Sequence, residues 1–272
     1  MSADRVTAPF GRRAATVTAH ERHGAYVVLR CGDPGGPRPQ PGQFYMLSSA
    51  ARWGGGASER PFLPRAFSVL RAVTERSGQE LHFLIEDVGP GTKRLCELQP
   101  GDDLLLVGPL GAGFAPPREG RAPLLVGGGV GIAPLAIWQD ELGDQVPALL
   151  GFRDAAHAAG AVLLAAPQVA TDDGSVGHHG LVTDLMTERL DAGDDVEVYA
   201  CGPPAMLEAV RELCAGRDVP AQLALESGMA CGFGACFGCV VPTRHGLIRL
   251  CLEGPVLDAA ELESAVVAGA GH

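Results

Sequence analysis

The sequence predicts a β barrel followed by an α/β domain and a small cysteine-rich unit. Three observations predict this order: short β-rich runs in roughly the first hundred residues, alternating strand and helix patterns after them, and crowded cysteines near the end. At 272 residues the chain is long enough for about two ordinary domains and an appendage. We place the barrel at residues 1–117, the α/β domain at 118–222 and the third unit at 223–272.

The first unit contains six short runs rich in β-branched, aromatic and leucine residues, with Gly and Pro between them. Turn signals at this spacing are typical of an antiparallel barrel. Residues 114–123, which contain Pro and charged side chains, are typical of a linker. The six predicted strands lie within residues 14–20, 24–32, 42–49, 66–73, 80–89 and 102–111.

The second unit alternates strands with helices, which predicts a parallel sheet with crossover helices. Residues 123–142 combine an apolar strand, a glycine loop and the start of a helix, and residues 195–216 repeat strand, turn and helix. Between them, 147–154 predicts a strand, 158–174 a mixture of strand and loop, and 181–193 a helix.

Two turns of the second unit are candidates for binding a nucleotide. GGGVGIAP (127–134) lets the backbone turn tightly and approach a pyrophosphate at a helix start, although a plain strand-to-helix turn has the same pattern. Pro134 replaces a third glycine and suits the first helical turn. CGPPAML (201–207) follows another strand at the same sheet edge, so Cys201 and Gly202 should face the ligand. The glycines concerned are Gly127, Gly128, Gly129 and Gly131.

Two stretches of the barrel carry groups suited to phosphate. RAFSV (65–69) places Arg65 and Phe67 on one face of a strand and Ser68 on the other. A guanidinium pairs well with a pyrophosphate, and a flat ring can stack on a heterocycle. GPGTK (89–93) predicts a second glycine turn, with a hydroxyl and a Lys that also suit a phosphate. Each pattern alone occurs in many β domains.

Three cysteines are crowded into CGFGACFGC (231–239), and Cys251 follows. The C-x4-C-x2-C spacing of Cys231, Cys236 and Cys239 is the plant-type ligand pattern of a 2Fe–2S cluster, with Cys251 as the fourth ligand. The intervening glycines let backbone N–H groups turn toward sulfur. Structural zinc is the alternative, but it favours two C-x2-C pairs, and only one is present. We expect Cys31, Cys96 and Cys214 in the core.

Charge and hydropathy limit the partners. Lys and Arg total 21 against 32 Asp and Glu, a net charge of −11, which disfavours binding to nucleic-acid phosphates. The first residues have no apolar signal core, and the longest uncharged stretch, 122–139, is broken by Gly and Pro. We therefore expect a cytoplasmic protein with no nucleic-acid or membrane partner.

With RAFSV, GGGVGIAP, CGPPAML and the cysteine cluster in this order, the chain resembles the ferredoxin–NADP reductase superfamily. More narrowly, it is similar to the electron-transfer subunits of NAD-dependent (class 1B) dihydroorotate dehydrogenases. GPLGAGF (108–114), residues 170–186, MACGFGACFGC (229–239) and CLEGPVLD (251–258) share that resemblance, which covers nearly the whole chain. It implies an FAD-binding barrel, an NAD-binding α/β domain and a C-terminal 2Fe–2S domain.

The resemblance also implies residue roles. Ala66 departs from the Pro that family members usually carry in the barrel motif, and the terminal aromatic that stacks on the flavin in plant-type reductases is absent. No residue need act as a general acid or base. The implied contacts are Arg65, Phe67 and Ser68 with FAD; Gly91 and Thr92 with its phosphates; Gly127, Gly128, Gly129 and Gly131 with the nicotinamide nucleotide; and Cys201, with Gly202, near the nicotinamide ring.

The resemblance implies electron transfer from an FMN-containing dihydroorotate dehydrogenase catalytic subunit, through 2Fe–2S and FAD, to NAD+ in pyrimidine biosynthesis. Asp172 and Asp173 favour NAD because acidic groups near the ribose would repel a 2′-phosphate. One alternative is a related subunit of another NAD(P)H-linked complex, of the hydrogenase or transhydrogenase type. A second alternative is a zinc-stabilised, non-catalytic binding module.

Overall fold

The computed structural model describes residues 6–9, 11–53, 62–75 and 78–267. These residues form a closed six-stranded barrel, a seven-stranded sheet with helices and a two-stranded hairpin that carries part of the cysteine unit. The predicted fold class is therefore confirmed.

Neighbouring strands of the barrel are antiparallel. The side chains of each strand either alternate between buried and exposed or are wholly buried, and a turn follows each strand. Its strand order is β1-β2-β5-β4-β3-β6, and all six predicted runs form strands. Leucine, valine and aromatic side chains fill the interior, where the rings of Tyr45 and Phe83 meet edge to face. The strands are β1 (Arg13–His23), β2 (Tyr26–Gly32), β3 (Phe44–Ser49), β4 (Arg65–Glu75), β5 (Gly78–Glu86) and β6 (Asp103–Leu110).

The segment predicted as a second glycine turn opens a short helix, α1 (Pro90–Cys96). Proline suits the first helical position because its missing N–H would have no partner there. The Thr92 hydroxyl accepts hydrogen bonds from the backbone N–H groups of Val88 and Gly89. The turn and the helix start are therefore one unit at the end of β5.

The second domain is built on parallel strands with crossover helices, as predicted. The sheet order is β10-β9-β8-β7-β11-β12-β15, and every pair except β12–β15 is parallel. Its strands are β7 (Ala122–Gly128), β8 (Ala148–Phe152), β9 (Gln168–Thr171), β10 (His178–His179), β11 (Val196–Cys201), β12 (Ala221–Ala224) and β15 (Val256–Asp258). The helices are α2 (Ile132–Leu142), α3 (Ala155–Ala158), α4 (Val182–Asp191) and α5 (Pro204–Ala215).

The cysteine unit packs on both domains. Its hairpin is formed by β13 (Val240–Thr243) and β14 (Gly246–Arg249), and its strand β15 pairs antiparallel with β12. The division expected at residue 222 therefore falls inside a strand of the shared sheet. On the barrel side, the Ala112 N–H donates to the Gly254 carbonyl, and Phe44 belongs to the same buried cluster as Cys239 and Cys251.

Polar contacts join the barrel to the nucleotide domain. Arg71 on β4 donates to the Leu163 carbonyl at 2.8 Å, and its Nε lies 2.9 Å from an Asp140 carboxylate oxygen on α2. Glu86, at the end of β5, pairs with Arg153. These contacts tie the barrel to the helix that follows the glycine loop and to the segments after β8.

Candidate functional site

The two candidate nucleotide turns lie side by side. Strands β7 and β11 are parallel neighbours, and Cys201 is directly opposite Gly127 in their register. At Gly131, a Cβ atom would lie 2.4 Å from the Cys201 carbonyl oxygen. The structure thus brings both turns to the carboxyl edge of the sheet, where ligands of open α/β folds bind.

Glycine is required on both sides of this contact. A Cβ at Gly202 would lie 3.0 Å from the Gly128 nitrogen, and one at Gly128 would lie 2.7 Å from the Met206 sulfur. Gly129 adopts a φ of +55°, and a Cβ there would meet only open space. A short turn, Gly129–Gly131, leads directly into α2, so backbone N–H groups at this helix start can face an anion.

Cys201 is placed for contact rather than for nucleophilic chemistry. Burial raises the pKa of its thiol to about 12, and the Glu226 carboxylate adds to the shift. The thiol is therefore neutral near physiological pH, whereas a nucleophilic cysteine needs a lowered pKa.

On the barrel side, Arg65 lies against the first turn of α1. Its Nη1 donates to the Leu63 carbonyl at 2.7 Å, and a Cβ at Gly91 would lie 2.8 Å from its Nε. The bare backbone at Gly91 therefore makes room for the guanidinium beside the start of α1. This donor set fits the pyrophosphate of a dinucleotide such as FAD.

The Thr92 hydroxyl organises this turn by acting both as an acceptor and as a donor. The oxygen accepts from Val88 and Gly89, and the hydroxyl donates to the Gly89 carbonyl at 3.0 Å. A threonine hydroxyl has one donor and two acceptor sites, so all are used. The hydroxyl therefore shapes the turn.

The other two predicted barrel residues lie on β4. Phe67 is half-buried and packs against the barrel core, as does Trp53. Ser68 is half-buried and pairs with Phe44 across β3 and β4. Phe67 and Arg65 project from the same side of the strand, in agreement with the predicted alternation.

The four cysteines of the third unit approach one another in two pairs. The Cys236 thiol is close enough to Cys231 to influence the pKa of its thiol, and the Cys239 thiol influences that of Cys251 in the same way. The Cys251 N–H also donates to the Cys239 sulfur at 3.5 Å. Two thiols for each of two irons is the stoichiometry of a 2Fe–2S centre with four cysteine ligands.

The backbone around the loop supplies N–H donors to sulfur. Burial opposes ionisation of Cys231, but N–H groups of Cys236, Phe233 and Ala235 outweigh it and lower the pKa of this thiol to about 7. Gly238 donates to the Cys236 sulfur at 3.4 Å. Such donors stabilise thiolates, the form that binds iron.

Burial has the larger effect on Cys251. It raises the pKa of the thiol to about 12, and the neighbouring Cys239 thiol adds to the shift. Among the described residues, no three His, Cys, Asp or Glu side chains are close enough together to hold a single metal ion. Four thiols in two pairs, with N–H donors, nevertheless form a donor set that fits a 2Fe–2S cluster.

A cation that the sequence analysis missed lies beside the loop. Arg249 donates to the Gly234 carbonyl at 3.2 Å, and its guanidinium carbon lies 5.2 Å from the centre of the Phe237 ring. Its position two residues before Cys251 is the one signal that could have drawn attention to it.

Comparisons with known proteins agree with this geometry. Residues 226–263 match the model of the iron–sulfur cluster binding domain of dihydroorotate dehydrogenase B. A protein of Caldanaerobacter subterraneus subsp. tengcongensis, named dihydroorotate dehydrogenase B (NAD(+)), electron transfer subunit, is 37% identical over 259 residues, which cover 91% of this chain and 97% of that protein. The chain belongs to this family of electron transfer subunits.

A second relative and a solved structure extend the comparison. The Geobacillus thermodenitrificans protein of the same name is 37% identical over 266 residues, covering 93% of this chain and 98% of its own length. The structure of an NADH-dependent reduced ferredoxin–NADP oxidoreductase shares the fold, with a TM-score of 0.76, 24% identity and coverage of 94% and 92% of the two chains.

Membership in the family confirms the predicted likeness to electron-transfer subunits of dihydroorotate dehydrogenase and the iron–sulfur domain at the C-terminal end. An electron transfer subunit of this kind is part of an oxidoreductase, and FAD, 2Fe–2S and NAD agree with its reductase fold and cluster domain. The match favours iron–sulfur over the zinc alternative. No helix in the described part of the chain is long and apolar enough to cross a bilayer.

Proposed function

We propose that this chain transfers electrons from a dihydroorotate dehydrogenase catalytic subunit that contains FMN to NAD+, in the cytoplasm and in the service of pyrimidine synthesis. When bound, 2Fe–2S supplies one-electron transfer, whereas FAD can exchange electrons singly or in pairs. The residues of the chain bind and orient these groups.

One observation carries the proposal: the cysteine loop packs directly on the barrel. A Cβ at Gly232 would lie 2.4 Å from Cγ of Met46 on β3 and 3.0 Å from Leu110 on β6. Gly232 adopts a φ of +78°, which an L side chain rarely adopts. The ligand loop therefore approaches the flavin barrel closely, as a relay between carriers requires.

In this proposal Arg65 pairs with the FAD pyrophosphate, Phe67 stacks on the flavin and Ser68 donates to it. Gly91 gives space to the guanidinium, and Thr92 holds the helix start. These roles agree with the contacts of Arg65, Gly91 and Thr92 described above.

Across the sheet edge, the glycine loop binds the pyrophosphate of NAD through its N–H groups. The neutral thiol of Cys201 lies beside the nicotinamide, with Gly202 giving close access. The loop residues are Gly127, Gly128, Gly129 and Gly131.

Preference for NAD over NADP follows from the loop after β9. Asp172 donates its N–H to the Phe152 carbonyl at 2.9 Å, which holds the loop beside the end of β8. Hydrogen bonds from the Ser175 hydroxyl and from the Ser175 N–H lower the pKa of the Asp173 carboxyl. Two carboxylate side chains at this edge disfavour a ribose 2′-phosphate.

The catalytic subunit docks, in this proposal, on the face around the cysteine loop. Phe233 and Phe237 are 56% and 61% exposed, and both lie between ligand cysteines. Aromatic side chains at this exposure are typical of protein interfaces.

The decisive experiment is a visible spectrum of the protein purified without oxygen. We expect flavin bands, a broad reddish iron–sulfur absorption and about two irons and two sulfides per chain. A colourless protein with stoichiometric zinc would contradict the proposal and support the binding-module alternative.

Reconstitution then tests the partner. With the FMN-containing subunit added, dihydroorotate should reduce NAD+, and Phe233→Ser or Phe237→Ser should weaken assembly by about tenfold, because each removes an exposed aromatic contact. Val162→Ser, a similarly exposed apolar residue of the nucleotide domain, is the control. If the coloured protein accepts no electrons from dihydroorotate, the partner belongs to another NAD(P)H-linked complex.

A further inference from the structure

Arg249 contacts the cysteine loop in several ways. It ends β14, two residues before Cys251, and its guanidinium donates to the Gly234 carbonyl at 3.2 Å. Its backbone N–H donates to the Glu253 carboxylate at 2.9 Å, and the two side chains form an ion pair at 3.6 Å. The cation is therefore held in one position beside the ligand loop.

The peptide group that receives this hydrogen bond also faces a ligand. The Gly234 carbonyl and the Ala235 N–H belong to one peptide, and the Ala235 N–H is directed at the Cys231 sulfur. A hydrogen bond to the carbonyl of a peptide polarises its N–H, so donation to the sulfur becomes stronger. Arg249 thus reaches Cys231 through one peptide group.

Arg249 also contacts the segment between two other ligands. Phe237 lies between Cys236 and Cys239 and adopts a φ of +59°, a left-handed conformation that is costly for a residue with a side chain. Its ring is 5.2 Å from the guanidinium carbon, within the range of a cation–π contact. This contact compensates part of the backbone strain.

We propose that Arg249 is a positioning residue that raises the reduction potential of the centre bound by Cys231, Cys236, Cys239 and Cys251. It does so with its positive charge, with the Gly234–Ala235 peptide and with the Phe237 ring. Each reduction adds a negative charge to the centre, and a nearby cation and stronger N–H donors favour the more negative form. The inference rests on the proposed iron–sulfur function.

The test is a redox titration of the full chain, followed by the electron paramagnetic resonance of the reduced cluster. Arg249→Gln should make the cluster about tenfold harder to reduce, which corresponds to about 59 mV for a one-electron couple. Arg249→Lys keeps the charge but loses the planar fork and the stacking, so its potential should fall by about half as much. Arg249→Gln should also alter the shape of the electron paramagnetic resonance signal, because the Cys231 sulfur loses part of its hydrogen bonding.

Arg244→Gln is the matched control. Arg244 lies in the turn of the same hairpin, between β13 and β14. Its replacement by Gln changes the net charge by the same amount as Arg249→Gln. We expect it to keep the wild-type potential. A potential of Arg249→Gln equal to that of Arg244→Gln would overturn the inference.

Two further outcomes are informative. If Arg249→Gln binds too little iron to be titrated, Arg249→Lys decides: a lowered potential supports the inference, and a wild-type potential overturns it. If the wild-type protein itself shows no iron–sulfur spectrum, the proposed function fails, and the inference fails with it. If the wild-type spectrum is normal and the variants keep the wild-type potential, the inference is rejected and the proposed function stands.

Discussion

Gly91 shows at the residue scale how a missing side chain shapes a site. The position is buried in the first turn of α1, and the Arg65 guanidinium occupies the space that a Cβ would take. The Arg65 guanidinium and the helix start can lie together only because this residue is glycine.

Gly91→Ala should weaken FAD binding by about tenfold, because the new methyl group displaces the Arg65 guanidinium. The FAD content of the purified protein and a fluorescence titration of the flavin measure this effect. Gly32→Ala is the control, since it ends β2 with no atom within 4 Å of the added Cβ. Equal FAD affinity for both variants would refute the role of Gly91.

Residue types and spacing predicted the four cysteines, Arg65 and the two nucleotide turns. They could not predict Arg249, because its effect depends on which carbonyl and which ring lie beside it after folding. Thr92 was predicted as a phosphate contact, but only the structure shows that its hydroxyl is fully used in the turn.

At the scale of elements, helix α5 holds the end of the described chain. Glu208 on α5 accepts hydrogen bonds from the Ser264 hydroxyl and the Ala265 N–H, and it pairs with Arg211. The hydrogen bond from Arg211, with those from Ala265 and Ser264, lowers the pKa of Glu208 to about 2. The segment after β15 is therefore fastened to the nucleotide domain.

The lowered pKa of Glu208 predicts how stability depends on pH. Because the folded-state pKa lies below the unfolded value of about 4.3, the stabilisation is complete above pH 4.3 and is lost as pH falls toward 2. Glu208→Gln should cost about 1 kcal/mol near neutral pH, and its difference from wild type should shrink on acidification.

Urea unfolding between pH 7 and pH 3.5 measures this dependence. Glu212→Gln is the control, because Glu212 is on the same helix, is 68% exposed and lies 3.9 Å from Arg211. A pH-independent difference between Glu208→Gln and wild type would contradict the assignment.

Element boundaries followed the sequence where periodicity was strong, as in the six barrel strands. They differed where tertiary pairing decided the outcome. Strand β15 is three residues long and forms because β12 offers an open edge. No local sequence pattern predicts such a strand, since its partner is more than thirty residues away.

At the scale of the whole molecule, the orientation of the two domains depends on contacts between β4 and α2. Arg71 on β4 pairs with Asp140 on α2 and also donates to the Leu163 carbonyl, and it is only about a quarter exposed. This orientation sets the two glycine turns of the nucleotide domain against the barrel.

Arg71→Gln should slow flavin reduction by NADH about tenfold, because a small displacement of the reacting groups is costly. The FAD content should stay unchanged, since Arg71 lies outside the flavin site proposed here. Stopped-flow absorbance measures the rate. Arg38→Gln is the control, because Arg38 reaches Glu141 on the same helix only at 3.6 Å and is 53% exposed. Equal rates in both variants would exclude Arg71 as an orienting contact.

By itself the sequence determined the fold class, the order of the three units and the chemistry of the cysteine loop, because hydrophobic period, glycine turns and thiol spacing are local properties. Only the tertiary structure decided that the cysteine unit shares a sheet with the nucleotide domain, that its loop lies on the barrel, and that Arg249 reaches the loop. These outcomes depend on contacts between residues far apart in the chain, whose geometry is set when separate elements pack together.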